Sequence, residues 1–423
     1  MSNPRATSKK INRILGYSSL DKIGKIPPAE PAVGKLKTQW IPFFEDTRNT
    51  FINQLVGYYE RSSTHRTAIN TKVIYTIGDG FIINRKDGEP YKYDEAFENY
   101  INEINAEGES LYELLSRWAL DYILTGNFAI ETAEEGKRLN IYHRDITQVR
   151  LGKPIAGNIT KAFISDFWED IGNQTNANSK YEVKRIELFN YDEPQKNAML
   201  FIRDYRPNRK YYGLPDYYTL GGMKWINIEY KIPTYNLDRI DNKFMPAGLL
   251  TLIGEPPDGK TTGEYLREFL DRFTGEGNNS KLVAQLVSSE VQEPKYIELN
   301  DEPEGIFTIL QELAVQNLLR AHRTHPALLV ETSGKLSNAN EVRTIFEIFM
   351  NTVIVNYQNT LLKPINKLMS YAGFGDYELT ISNVTPISFL GNVDINAVIE
   401  INEARAELGL EPKETFEGLK IKS

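Results

Sequence analysis

The sequence contains no cysteine, which excludes disulfide bridges, thiolate zinc sites and cysteine nucleophiles. No stretch approaches the roughly 20 consecutive apolar residues that a membrane-spanning helix requires. The N-terminal residues also lack the apolar core of a secretory signal. We therefore expect a protein that is made in a cytoplasm and has no membrane partner.

Basic residues are fewer than acidic ones, with 49 Lys and Arg against 57 Asp and Glu. The 423 residues carry a formal net charge of -8, which argues against a protein that grips nucleic acid over its whole surface. The length and the 41% of hydrophobic residues indicate a globular chain of two or three modules.

The first half has the pattern of a mixed α+β unit. After a basic arm over residues 1–40, we expect a helix over 46–76, a strand near 81–83 and a helix over 110–125. Ser110 and Glu113 have capping-box spacing at the start of the last helix, and Gly126 has the position of its C-cap. Alternating apolar residues predict strands near residues 128–132, 139–150, 159–168, 181–191 and 198–203.

The second half predicts long helices around a small α/β segment. A Gly-Leu-Pro turn at residues 213–215 precedes a helix from Asp216 to about Asp241, which Pro233 should kink or divide. The remaining expected elements are a strand at 248–253, a helix at 264–273, strands at 282–287 and 296–299, helices at about 305–324 and 339–371, a strand at 377–384 and a short helix near 394–408.

Residues 254–261 match the phosphate-binding loop pattern GxxxxGK followed by Ser or Thr, between a predicted strand and helix. Pro256 and Pro257 remove backbone donors that such a loop aims at phosphate, and the next apolar strand does not end in the acidic residue that holds magnesium. Thr261 and Glu264 have capping-box spacing. We favour a turn and helix cap, and a nucleotide-binding enzyme that uses Lys260 remains the alternative.

His322 and His325 lie three residues apart near a predicted helix end, a spacing that metal ligands can use. His65 and His143 are distant in sequence, so no third histidine ligand is in view. We therefore favour the interpretation that these histidines place favourable positive charge at a helix C-terminus over a metal site. Arg320 and Arg323 share that helix end, and their charge is favourable there for the same reason. We find no nucleophile–base constellation and predict no catalytic residue, metal or cofactor.

The order of these elements resembles the portal-protein family of tailed bacteriophages over about residues 45–415. Five local sequences carry the resemblance: the helix, Gly-Asn and strand at 111–130, Tyr-Gly-Leu-Pro at 212–215, Pro-Ala-Gly-Leu-Leu at 246–250, Thr-His-Pro-Ala-Leu-Leu at 324–329, and the C-terminal segment 401–412 with its Asn-Glu-Ala-Arg and Gly-Leu-Glu-Pro.

The resemblance implies an α+β portal fold with named parts. These are an N-terminal arm (1–40), a mixed α/β wing (41–215), stem helices (216–242 and 305–325), a small α/β clip (243–304), a tunnel loop (326–338), a long helix and strand that join the wing (339–390) and a short C-terminal crown (391–423).

The family also implies a function. Portal proteins form rings of about twelve subunits with closed cyclic symmetry. Such a ring is a passive channel at one capsid vertex for DNA packaging and ejection. Its implied partners are the large terminase, a head–tail adaptor, the major capsid or scaffold protein and double-stranded DNA. We thus expect a non-enzymatic virion protein assembled in the host cytoplasm, with a different ring-forming head–tail adaptor as a further alternative.

The same resemblance singles out site residues. Lys335 is the expected basic contact to DNA and Glu331 the repelling one, within a tunnel loop of Glu331, Thr332, Ser333, Gly334, Lys335, Leu336 and Ser337. Arg320 and Arg323 are candidate channel-lining residues. In the clip, the residues expected to meet the docking partners are Lys260, Glu264, Arg267 and Asp271.

Overall fold

A computed structural model describes the chain at residues 31–44, 48–172, 181–192, 197–241, 248–253, 256, 259–274, 282–287, 295–298, 306–329 and 339–384. Within these residues, no helix is long and apolar enough to cross a membrane.

The first part of the described chain is helical. Its elements are α1 (Thr50–Arg61), α2 (Ser63–Ile77), strand β1 (Phe81–Arg85), α3 (Glu95–Asn102) and α4 (Leu111–Thr125). The prediction of one helix over 46–76 is wrong, because Ser62 is extended and its hydroxyl caps α2 by accepting from His65 N at 3.2 Å. The capping box of Ser110 and Glu113 is confirmed, and Gly126 ends α4 with φ of 76°.

A six-stranded sheet follows α4. It contains β2 (Asn127–Glu135), β3 (Arg138–Arg144), β4 (Val149–Leu151), β5 (Lys161–Ile164), β6 (Lys184–Leu188) and β7 (Asn197–Arg203), in the order β3-β2-β7-β6-β5-β4. All neighbours are antiparallel except β6 and β7. The predicted strand 139–150 is divided by a 3-10 turn, and the predicted strand 159–168 ends early because Trp168 begins a short helix, α5 (Trp168–Ile171).

Both faces of this sheet are buried. Alternate residues of a strand point to opposite faces, and Phe128 and Ile130 pack with α4 while Ala129 packs on the other side. The segment around Ile41 and Phe43 covers that second face.

Two antiparallel helices extend from this unit. After the short α6 (Asp216–Thr219), α7 (Gly222–Asp241) runs outward and α9 (Ile306–His322) returns. Tyr235 stacks on Phe307 at 4.5 Å between ring centroids. The 20 residues of α7 span about 30 Å at 1.5 Å each. Of the predicted kink or division at Pro233, the division is wrong, because Pro233 lies inside α7. The helix predicted from Asp216 is instead interrupted at Gly221, whose φ is 82°.

A small unit joins the outer ends of these helices. It consists of β8 (Gly248–Ile253), α8 (Thr262–Thr274), β9 (Leu282–Val287) and β10 (Lys295–Glu298), in the order β10-β8-β9. Strands β8 and β9 are parallel, and β10 is antiparallel to β8. The predicted strands and helix of this segment are confirmed to within two residues.

The last described elements return to the helical part. Helix α10 (Ala339–Phe349) continues through a π-helical segment (Met350–Ile354) into α11 (Val355–Tyr371), and β11 (Tyr377–Ile381) pairs antiparallel with β1. The single helix predicted over 339–371 thus contains a π-helical segment. The predicted helix 394–408 lies outside the described residues.

Candidate functional site

The candidate site is the junction where α6, α7 and α9 meet the helical part. Four sets of contacts hold these elements together, and we call each set a tie. In the first tie, the side chain of Asn127 forms two hydrogen bonds with the backbone of Gly213, as a neighbouring strand would. Asn127 donates through Nδ2 to Gly213 O at 3.2 Å and accepts from Gly213 N at 2.7 Å. A Cβ on Gly213 would overlap the Gly126 carbonyl oxygen and lie 2.7 Å from Asp204 N, so only glycine permits this approach. The two short sequences that carried the resemblance here, at 126–127 and 213–215, are thus in direct contact.

Asp216 forms the second tie, at the start of α6. It accepts a hydrogen bond from Arg206 and another from the Tyr357 hydroxyl at 3.0 Å on α11. Burial opposes ionisation of Asp216, but these hydrogen bonds outweigh burial and lower the pKa of the carboxyl. Arg206 also pairs with Asp204 at 2.8 Å. Asp216 thereby joins α6 to the sheet side of the chain and to α11.

A buried nitrogen cluster forms the third tie. His65 Nδ1 lies 2.8 Å from His322 Nε2, and Lys72 Nζ lies 3.3 Å from His322 Nδ1. The exposed fractions of these residues are 0%, 0% and 1% for His65, His322 and Lys72. The ring of Tyr217 stacks on His322 at 5.2 Å, and its hydroxyl donates to Leu124 O at 2.7 Å.

Burial sets the charge state of this cluster. It lowers the pKa of Lys72 to about 7; Asp216 raises the pKa in part and Arg323 lowers it further. Burial and then Lys72 lower the pKa of His65 to about 3. Burial, Lys72 and His65 likewise hold the pKa of His322 well below its usual range. Both imidazoles are therefore neutral at pH 7.

Two interpretations of His322 from the sequence are wrong: that it acts through charge at a helix C-terminus, and that no other histidine lies near it. The imidazole is neutral and buried, so it does not stabilise the end of α9 through charge, and His65 contacts it despite being 257 residues away. Among the residues the structure describes, no group of three or more His, Cys, Asp or Glu could hold a metal ion.

Glu229 of α7 forms the fourth tie. Its carboxylate accepts from Thr64 N at 3.1 Å, from Ser63 Oγ at 3.3 Å and from Ser62 Oγ. A negative charge at a helix N-terminus is favourable, because backbone N–H groups there lack partners. Glu229 thus fixes α7 to the start of α2, while His322 fixes α9 to the same helix.

We expect Glu229→Ala to lower the free energy of unfolding by about 2 kcal/mol, because buried donors at the start of α2 lose their acceptor. Glu229→Gln should cost less, since its amide oxygen still accepts. Urea denaturation measures both. Glu60→Ala, which removes an exposed carboxylate on α1, should stay within about 0.5 kcal/mol of wild type. Equal stability of the Glu229 and Glu60 variants would contradict the assigned role.

The histidine pair predicts a pH dependence of stability. Unfolded histidine has a pKa near 6.5, whereas folded His65 stays neutral to about pH 3. Between these values the unfolded state binds more protons, so stability falls as the pH falls, by up to about 1.4 kcal/mol per pH unit for each imidazole. His322→Leu should flatten the slope measured between pH 6 and 4. His325→Asn, which changes an exposed imidazole, should leave the slope unchanged; identical slopes for all three proteins would refute the explanation.

The channel-lining, tunnel-loop and clip residues that the sequence singled out lie in different parts of the chain. Arg320 is exposed, with Asn317 Oδ1 at 3.5 Å from its guanidinium. Arg323, with φ of 56°, donates to Thr352 O at 3.4 Å and so links the end of α9 to the π-helical segment. The predicted loop residues 331–337 lie outside the described residues. Asp271 belongs to α8.

The alternative of a phosphate-binding loop at residues 254–261 depends on the side chains of Lys260 and Thr261, and both are bonded to carboxylates of α8. Lys260 Nζ lies 2.5 Å from Glu268 Oε2. The Thr261 backbone N–H donates to Glu264 Oε2 at 2.9 Å, and the Thr261 hydroxyl accepts from Glu264 N at 3.3 Å, which confirms the capping box. Because α8 supplies both carboxylates, this geometry favours a turn and cap over a nucleotide site. The exposed Arg267 lies on the same helix.

No protein-family model matches the sequence. A 96-residue segment is 25% identical to the tRNA-specific 2-thiouridylase MnmA of Acetivibrio thermocellus. That segment covers 23% of this chain, and the match spans 27% of the length of the thiouridylase.

Solved structures give a broader match. A chain in the neck of an empty GTA particle computed with C6 symmetry aligns with a TM-score of 0.51 and 15% identity, over 86% of this chain and 94% of that chain. The chain shares the fold of this neck protein. A chain in the neck of a native GTA particle computed with C12 symmetry has a TM-score of 0.49 and 15% identity, over 87% and 93% of the two chains. An HK97 family phage portal protein from Corynebacterium diphtheriae has a TM-score of 0.47 and 10% identity, over 80% and 96%. The match to the neck chain of the empty particle bears out the predicted resemblance at the level of the fold.

Proposed function

We propose that the chain is a portal protein, a ring subunit at one capsid vertex through which DNA is packaged and ejected. The observation that carries this proposal is the shared fold, because the aligned region includes 94% of the neck chain. The sequence resemblance over about residues 45–415 supports it independently. In this role the chain is not an enzyme, and a separate motor hydrolyses ATP.

The parts implied by the resemblance fit the described elements. Helices α7 and α9 form the proposed stem, and the β8–α8–β9 unit between their outer ends forms the proposed clip. The sheet and the helical part, with α11 and β11, form the proposed wing. The four ties of the junction then fix the stem to the wing. A ring that carries DNA under load needs such a rigid joint, because misplaced stem helices would narrow or open the bore.

Exposed apolar residues on the stem support ring assembly. Tyr230 and Leu237 on α7 and Ile309 and Leu313 on α9 have exposed fractions of 39%, 59%, 58% and 40%. Exposed apolar side chains along both helices of this pair favour a protein interface there. A neighbouring subunit in a closed ring would cover them. The C6 symmetry with which the GTA neck was computed supports a cyclic assembly, and the family resemblance suggests about twelve subunits.

The proposed ring assigns contacts to other partners. The tunnel loop, with Lys335 as its basic contact, would touch the translocating DNA, and the exposed Arg320 would face the bore. In the clip, Lys260, Glu264 and Arg267 are exposed, as docking to terminase or a head–tail adaptor requires. Deleting residues 331–337 should impair packaging or DNA retention; unchanged packaging and retention would remove the loop from the mechanism.

Labelling the chain inside particles tests the proposed location. Because the sequence has no cysteine, Lys137→Cys would place a single thiol at the exposed turn between β2 and β3. Gold coupled to that thiol should appear in cryo-electron micrographs at one vertex of each particle, where the tail joins. Gold spread over the capsid or along the tail would overturn the portal assignment. Wild-type particles, treated identically, control for unspecific labelling.

A further inference from the structure

Two adjacent grooves run along the exposed side of α11. One has a volume of about 410 Å³ and lies between α11 and β11. The other, of about 400 Å³, lies between α11 and the sheet residues around Ile202. Asn359, Lys363 and Lys367 line both grooves, so they form a ridge with a groove on either side.

The grooves combine an apolar floor with positive charge. Leu362 and Leu379 line the first groove, and Ile202 and Pro364 line the second. Lys363 and Lys367 are exposed and lie one helical turn apart on the ridge. Lys86 stands at the edge of the first groove, and Glu378 is the single carboxylate among the residues that line either groove. This composition suits an acidic segment with apolar residues.

The described part of the chain ends near these grooves. Asn383 Oδ1 accepts from Gln358 Nε2 of α11 at 2.8 Å, and Asn383 lies three residues after Thr380, which lines the first groove. The structure describes the chain as far as Val384. Residues 385–393, which precede the predicted helix, could extend about 30 Å, whereas the ridge from 359 to 367 is about 12 Å long. The segment that follows Val384 can therefore reach the whole ridge of its own chain.

That segment has the complementary charge. Its basic residues are Arg405, Lys413, Lys420 and Lys422, and its acidic residues are Asp394, Glu400, Glu403, Glu407, Glu411, Glu414 and Glu417. In the helix that the sequence predicts near 394–408, Glu400, Glu403 and Glu407 share one face because they are three and four residues apart.

We propose that the acidic segment 394–417 docks on the lysine ridge of α11 within its own chain. Its glutamates would pair with Lys363 and Lys367, and apolar residues of the segment would enter the grooves. The contact would fold the C-terminal part back onto the described fold. The inference rests on the grooves, the position at which the described residues end and the charge pattern, and it holds whether or not the chain forms a ring.

Zero-length cross-linking of the full chain tests the contact, because a carbodiimide joins a lysine amine to a carboxylate only when the two touch. We expect cross-linked peptides that join Lys363 or Lys367 to a glutamate within 400–417. A mixture of unlabelled and ¹⁵N-labelled protein separates the sources. Cross-links within one chain support the proposal. Cross-links only between chains, or none to this ridge, would overturn docking within the chain.

Reversal of the charges by mutation provides a second test. The measurement is the hydrogen exchange rate of the backbone amides in 394–410. Lys363→Glu with Lys367→Glu should speed their exchange by about tenfold or more, because the docked state is lost. Adding Glu400→Lys, Glu403→Lys and Glu407→Lys should restore slow exchange. The control reverses two exposed lysines elsewhere, Lys137 and Lys224, and should change nothing. Equal exchange in the wild type and the α11 double variant would refute the proposal.

Discussion

Gly213→Ala is expected to lower the free energy of unfolding by about 3 kcal/mol or more. The added methyl group would overlap the Gly126 carbonyl oxygen and lie 2.7 Å from Asp204 N and 3.0 Å from Asp204 O. All three atoms belong to the backbone, so no flexible side chain can move aside. Relief of the overlap would separate Gly213 from Asn127 and break the pair of hydrogen bonds that begins the junction.

The matched control for this variant is Gly57→Ala. Gly57 lies inside α1, and a Cβ there would meet no atom within 4 Å. Alanine at this position should be neutral or stabilise the chain by up to about 1 kcal/mol, because glycine is a poor helix former. Urea denaturation of both variants gives the comparison. If Gly213→Ala unfolds at the same urea concentration as wild type, the close approach does not constrain the junction.

The second large effect concerns assembly. Ile309→Glu combined with Leu313→Glu should leave the chain folded but weaken subunit association by at least about 1000-fold, because two uncompensated charges would be buried at the interface. The two side chains have exposed fractions of 58% and 40% in the single chain, so their replacement removes little packing within it. Circular dichroism should be unchanged, while analytical ultracentrifugation should show monomers.

The control for the double variant is Tyr93→Glu. Tyr93 has an exposed fraction of 74% and lies between β1 and α3, away from the helical pair. This variant should assemble as the wild type does. Wild-type assembly of the Ile309 and Leu313 double variant would show that α9 does not form the subunit contact, and the interface would have to lie elsewhere.

Local signals in the sequence predicted much of the fold, because each depends on a few neighbouring residues. The capping boxes at Ser110 and Thr261 and the C-cap at Gly126 are examples. The break before α7 shows the limit. Proline disfavours a helix interior by about 3 kcal/mol, yet α7 passes through Pro233 while it packs along α9, and the chain turns at Gly221 instead.

The junction could not be predicted, because its contacts join residues that are distant in sequence. Glu229 meets the start of α2 across 165 residues or more, and His65 meets His322 across 257. The burial of Lys72 could not be predicted either, because lysine is normally a surface residue even beside apolar neighbours such as Ala68, Ile69 and Val73. Its burial follows from the packing of α2 against α4 and α9, which no local pattern records.

Native mass spectrometry of the purified full chain, with negative-stain electron microscopy of the same sample, tests the central claim most directly. The portal assignment predicts a closed ring of about a dozen subunits around a central hole. A chain that remains a monomer or a small dimer at high concentration would contradict that assignment.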